Sequence, residues 1–205
     1  PATTTGHQAG VGLVTTALLP WRWASGSAVG SAHRRKGMPN QDAENVVYHS
    51  LSLPWGGTVI AGVADGHGSP EYVRADVGAR AAVDVASQAV LGFIREHQVE
   101  VGQTIAEAWG DLSRMLPERL VDTWRQSIST YHASQPFTAE ELAAIDARQP
   151  TARGRATDEE PHRAYGCTLM VVIATADGVG CLQLGHGDIL VGRAGPEERV
   201  RDRKS

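Results

Sequence analysis

The sequence predicts an α+β domain built on antiparallel sheets. Three observations carry this. Short apolar or alternating runs lie towards both ends of the chain, and segments with apolar residues at three- and four-residue spacing fill its middle. Ala176-Asp177-Gly178 between two apolar runs is a hairpin signal, which makes the later strands antiparallel neighbours.

Trp21 to Val29 alternates in part and reads as a strand. Ser31 to Asp42 is polar, with Gly37 and Pro39, and reads as a loop. Ala43 to Leu53 is a second strand, and Pro54 to Gly57 a turn. Thr58 to Asp65, "TVIAGVAD", is a continuous apolar run that suits a strand buried on both faces. Ser69-Pro70-Glu71 reads as a helix start: a capping hydroxyl, a proline where no N–H is needed, and an acid near the positive end of the dipole. The helix is expected from Pro70 to Arg95, with Ala and Val placing it tightly against a sheet.

A second helical region follows, marked by Ile105, Trp109, Leu112 and Leu116, then by Leu120, Trp124, Ile128 and Tyr131. Pro117 between them is expected to break or restart the helix. Thr138 ahead of Glu140 and Glu141 caps a short helix. Residues 148–163 are polar and read as a mobile loop. Strands return at Tyr165 to Thr175, Val179 to Gly185 and Asp188 to Gly195.

The composition, 41% hydrophobic and 20% charged, is that of a globular chain able to bury a core. Residues 1–20 read as a loose extension and 21–205 as one domain. A formal charge of −4 argues against nucleic acid as a partner. The basic cluster His33-Arg34-Arg35-Lys36 is too short for a nucleic-acid arm, and the Arg199 to Ser205 tail reads as solvated. No apolar run approaches the roughly 20 residues of a membrane helix, so no membrane association is expected. The two cysteines, Cys167 and Cys181, read as free buried thiols in a reducing, cytoplasmic setting. The start lacks an initiator Met and a basic leader, so the chain reads as a processed or excised piece.

Three polar stretches interrupt the apolar pattern. Asp65 stands where a buried strand emerges, which is costly unless the carboxylate is solvated, hydrogen-bonded or bound to a cation. Gly66 and Gly68 let the backbone approach a ligand closely, and the helix start beyond them favours an anion. Asp65 is equally a plain turn residue. Asp42, in "NQDA", is a second carboxylate at a strand start, with His33, Arg34 and Arg35 upstream able to meet a phosphate or simply to face solvent. His186-Gly187-Asp188 is a third polar cluster, read as a hairpin turn or as part of the same site.

Taken together, "NQDA", "GVADGHG", "YGCTL" and "LGHGD" resemble, in order, the motifs of the type 2C metal-dependent protein phosphatases. The "SAHRRKGMPNQDA" stretch looks similar to a bacterial branch. The resemblance implies a four-layer α-β-β-α sandwich of two antiparallel sheets flanked by helices. It implies two Mn²⁺ or Mg²⁺ ions that ready a water to attack a phosphoserine or phosphothreonine, with a phosphoprotein as partner. Carried over by motif, Asp65 bridges the metals and Gly66 offers its carbonyl. Asp42 supports from the second shell, and His67 gives a proton to the leaving group. Arg34 or Arg35 replaces the family's phosphate-binding arginine, whose position is Gly37 here. His33, His186 and Asp188 are accessory candidates.

His186 stands where the family has an aspartate serving an extra metal. Only Asp202 follows Asp188, so the two further metal aspartates of the family are missing from this stretch, which reads as a C-terminally truncated domain. That departure keeps open a pseudophosphatase that only binds. A zinc hydrolase using His67 and His186 is the remaining alternative. An uncovered sheet edge would offer a route to dimers.

Overall fold

The computed structural model describes residues 21–49, 55–97, 100, 102–148, 156–157 and 160–192. Along the chain lie α1 (Ser31–Lys36), β1 (Ala43–His49), β2 (Thr58–Ala64), α2 (Ala75–Glu96), α3 (Ile105–Ser134) and α4 (Ala139–Arg148). A 3₁₀ turn (Pro161–Tyr165), β3 (Leu169–Ala174) and β4 (Val179–Leu184) follow. The four strands form one antiparallel sheet in the order β1-β2-β3-β4. The α+β class is therefore observed, while the described residues hold a single sheet rather than the two of a four-layer sandwich.

Strand alternation sets the two faces. Ile60, Ala64, Leu169, Val171, Ile173 and Leu182 point into the core beneath α2 and α3. Small residues permit the close approach. A side chain at Gly62 would touch Val83 of α2 at 3.5 Å, and one at Gly180 would meet the Trp109 ring of α3 at 2.2 Å. Helix α2 has the length and composition of a membrane-crossing helix, yet its Ala75, Ala79, Ala82, Ala86 and Ala89 face is buried in this core.

The other sheet face is crossed by residues 21–29. They run extended with alternating exposure but do not join the ladder as the strand their pattern predicted. Trp21 Nε1 donates to the Thr175 carbonyl at 2.6 Å, and Trp23 stacks on Tyr48.

Several local expectations are corrected. Ser31 to Lys36 is a short helix rather than loop, closed by Gly37 in the left-handed region at φ 67°. Helix α2 begins at Ala75, not Pro70, because Ser69 to Arg74 are spent in turns. Tyr72 N–H donates to Ser69 O at 3.0 Å, and Arg74 N–H donates to Ala164 O at 3.0 Å. Pro117 lies inside α3 without ending it. Leu112, Leu116 and Leu120 are buried on one face around it, and that packing outweighs one lost backbone bond. Strand β3 starts at Leu169 rather than Tyr165, since Pro161 to Tyr165 turn as a 3₁₀ segment. Asp188 to Gly192 form no strand, and residues 193–195 lie outside the described ones. So does most of the 148–163 loop, and so do residues 50–53 at the end of the second predicted strand and Pro54 of the turn after it.

Other expectations hold in detail. The turn after β3 closes with Thr175 N–H donating to Gly178 O at 2.9 Å. Thr138 and Glu141 cap α4 reciprocally: Glu141 N–H donates to Thr138 Oγ1 at 3.2 Å, and Thr138 N–H donates to Glu141 Oε2 at 2.7 Å.

A second, smaller core joins α3, α4 and the 3₁₀ turn through Ile128, Phe137, Ile145, Ala164 and Tyr165. Arg74 lies at its centre. Its guanidinium donates to Glu141 at 2.7 and 2.8 Å, to Tyr165 Oη at 2.8 Å, and to the carbonyls of Gln135 and Pro136. The same group lies over the Phe137 ring, 4.9 Å from its centroid.

Candidate active site

Strand β2 and the start of β1 converge at one end of the sheet, where Ala43 pairs with Ala64. The residues just outside this pair, Asp42 and Asp65, are thereby set side by side. The loop that presents Asp42 is fixed locally: Asn40 Nδ2 donates to Ser27 Oγ at 2.6 Å, and Asn40 Oδ1 accepts from the Asp42 N–H at 3.4 Å.

Asp65 is clamped by its own backbone. Thr168 N–H donates to Asp65 O at 2.9 Å, and Asp65 N–H donates to Thr168 Oγ1 at 3.3 Å. Thr168 is the threonine of "YGCTL". Sequence reasoning quoted that motif without giving this residue a task, and the quoted Thr was the signal that could have found it.

Gly66 follows in the same extended run, with its N–H donating to Gln41 O at 3.2 Å. In extended backbone the N–H and C=O of one residue point the same way, so its carbonyl also faces the Gln41–Asp42 side. Any side chain here would collide with Gln41 O at 2.5 Å and Ala75 O at 3.0 Å, which makes glycine a steric requirement.

The electrostatics of the pair are unfavourable as it stands. The Asp42 carboxyl is held above the usual carboxylate range, first by partial burial, then by its hydrogen-bonding contact with Asp65 and by that group's charge. His33 opposes this and pulls it down. Gln41 Oε1 is buried beside the pair with no hydrogen-bond partner among the described residues. Both aspartates line a cleft of about 530 Å³ between the sheet and the 23–28 segment.

The other sequence candidates fall elsewhere. His33, half-buried on α1, directs Nε2 towards Gly68, 3.7 Å from where a side chain there would start. Arg34 and Arg35 are exposed on the same helix, and Arg34 turns back to donate to Val29 O at 3.1 Å. His67 packs edge-on against Tyr72 with ring centroids 4.6 Å apart, and its buried Nδ1 has no partner among the described residues. It lines a separate cavity, not the Asp42–Asp65 cleft. His186 and Asp188 are exposed in the turn after β4 and do not line the cleft either. Cys167 pairs across from Gly66, and its thiol is pushed up to about 12, by burial first and then by Asp65.

The donor set suits a hard cation. Two carboxylates and a carbonyl are oxygen ligands of the kind Mn²⁺ or Mg²⁺ takes, and a positive charge would oppose the burial, first, and the Asp65 contact that together raise Asp42. Among the described residues no third His, Cys, Asp or Glu joins the pair. Asp42, Asp65 and the Gly66 carbonyl are the oxygen groups at this end of the sheet that could hold such a cation.

A family profile described as protein phosphatase 2C matches residues 29–202, a span that includes the Asp42–Asp65 pair, the Gly66 approach and the Thr168 clamp. No curated protein and no solved structure matches the chain. With the match running through most of its length, the chain belongs to the protein phosphatase 2C family.

Proposed function

We propose that the protein is a metal-dependent phosphoserine/phosphothreonine phosphatase acting on phosphoproteins. The observation that carries this reading is the placement of Asp42 beside Asp65, just beyond the paired Ala43 and Ala64, where both line one cleft. Natural chains hold such pairs where a cation or a proton is used, because contact alone destabilises the fold. Asp42, Asp65 and the Gly66 carbonyl would hold Mn²⁺ or Mg²⁺. A divalent cation bound there would supply the Lewis acidity that readies water for attack and screens the phosphate charge.

The remaining work falls to the chain's own groups. Thr168 holds the Asp65 backbone still through two hydrogen bonds. His33 directs its ring towards Gly68, which supports a phosphate-orienting role for it beside the candidates Arg34 and Arg35. Gly68, with no atom nearer than 3.7 Å to where a side chain would start, leaves room for the substrate's oxygens to come close to the backbone. The two free cysteines, Cys167 and Cys181, suit a reducing, cytoplasmic setting.

The test is Mn²⁺-dependent hydrolysis of p-nitrophenyl phosphate and of phosphoserine peptides, with Asp65→Asn beside the parent. A loss of at least about a hundredfold is expected, since one carboxylate holds the cation and sets its position. Equal turnover in the variant would sink the assignment. Phosphopeptide binding without turnover in the longest natural chain would mark a binding module instead.

A further inference from the structure

A second cavity, of about 310 Å³, lies on the far side of the strand that carries Asp65. Its floor is apolar: Leu120 of α3, Leu169 of β3 and Leu184 of β4. Its walls are already fixed. Trp124 Nε1 donates to the Gly78 carbonyl at 2.9 Å, which holds the indole in place. The His162 Nε2 lies 3.0 Å from Ser129 Oγ and 3.2 Å from the Arg125 carbonyl, which holds the 3₁₀ turn against α3. Arg125 and Arg163 stand exposed on the rim, and neither has a carboxylate partner among the described residues.

We propose that this cavity binds a small organic anion, with an aromatic or branched apolar body against Leu120, Trp124 and Leu184 and its carboxylate at Arg125 and Arg163. Charge and shape both point to that class. Two guanidinium groups that line an apolar pocket and have no carboxylate partner among the described residues are complementary to a planar carboxylate. The volume sits at the lower end of small-molecule sites. A peptide would need a groove running past the site, whereas here α3 and the 3₁₀ turn close it on two sides. The site is separate from the phosphatase cleft: no aspartate of the Asp42–Asp65 pair lines it. His67, which follows Gly66, and Cys167, which pairs across from it, also line the cavity.

The test is calorimetric titration of the whole chain with 1-naphthylacetate, with its uncharged isostere 1-naphthylacetamide, and with inorganic phosphate. The carboxylate is expected to bind about tenfold or more tightly than the amide, and phosphate alone more weakly still. Arg125→Gln with Arg163→Gln, both on the surface, should bring the carboxylate down to the level of the amide. Val121→Trp, which fills the cavity from α3, should abolish binding of both naphthyl compounds with the thermal unfolding midpoint retained. No binding of the carboxylate, equal affinity for carboxylate and amide, phosphate binding as tightly as the carboxylate, or unchanged affinity in either variant would each overturn the proposal.

Discussion

Two charged clusters in this molecule are built on opposite rules. In the Arg74 cluster the guanidinium is nearly buried, its side chain only 10% exposed, and its neighbours answer it with two carboxylate oxygens, a phenol and two carbonyls. Those bonds hold the Glu141 carboxyl below the usual range. In the Asp42–Asp65 pair two groups of the same charge touch, and one of them is pushed above the usual range. The first cluster satisfies itself and ties α4 to the rest of the fold. The second is left wanting a positive charge. A charge fully answered by the chain reports on structure, whereas one that the chain leaves unanswered reports on what it is meant to meet.

The sharpest way to break the contrast is Arg74→Met. It would leave Glu141 without its cation in a partly buried site and would strand the Gln135 and Pro136 carbonyls, while Tyr165 Oη would keep only His132 Nδ1, 3.2 Å away. A loss of about 3–5 kcal/mol is expected in denaturant unfolding. Arg74→Met with Glu141→Gln should recover a part of it, because the orphaned charge is then removed as well. A loss under about 1 kcal/mol would mean that the cluster is decoration. Asp65→Asn should do the reverse: activity falls at least about a hundredfold, equal to about 2.7 kcal/mol of barrier, with no loss of folding stability. A variant that lost both together would show that Asp65 serves the fold. Gly66→Ala comes next. Its new methyl would press on two backbone carbonyls, and about 1–3 kcal/mol of stability should go with the activity, read by thermal unfolding.

The two clusters also differ in how far the sequence discloses them. Asp65, Gly66 and Asp42 were legible because their chemistry is local: a carboxylate at the end of an apolar strand, a glycine beside it, an Asn-Gln turn before a strand. The Arg74 cluster was not. Its partners Gln135, Glu141 and Tyr165 lie 61, 67 and 91 residues away, so nothing in the neighbourhood of Arg74 marks it. In the sequence Glu141 stands out only as the capping partner of Thr138, a local task it also performs. The same distance effect displaced the start of α2. Ser69-Pro70-Glu71 has every feature of a cap, but Arg74 is held by Ala164 and by its buried cluster, and the helix begins after it. The strands of the sheet were readable from periodicity, whereas the separation of His67 from the two aspartates depends on how Gly166 and Tyr72 pack around its ring.

The smallest effect tests the contrast most directly, because the two clusters should respond to acid with opposite signs. Asp42 has a raised folded-state pKa. Its contribution to stability is therefore complete below the ordinary Asp value of about 3.9 and is lost as pH rises through the raised value. Glu141 has a depressed one. Its contribution is complete above the ordinary Glu value of about 4.3 and is lost as pH falls through the depressed value. Asp42→Asn should then stabilise the metal-free protein at neutral pH, by under about 1 kcal/mol after solvent screening, and the gain should vanish below about pH 4. Glu141→Gln should destabilise it at neutral pH, and that loss should shrink on acidification. Unfolding curves of both variants from pH 3 to pH 7, with chelator present, would show lines that depart from the parent on opposite sides. Adding Mn²⁺ should erase the advantage of Asp42→Asn, since the cation stabilises only the parent pair, and should leave the Glu141→Gln difference where it was. If both variants moved the same way, the Asp42–Asp65 contact would be an answered interaction like the one at Arg74, and the reading of it as a cation site would lose its physical basis.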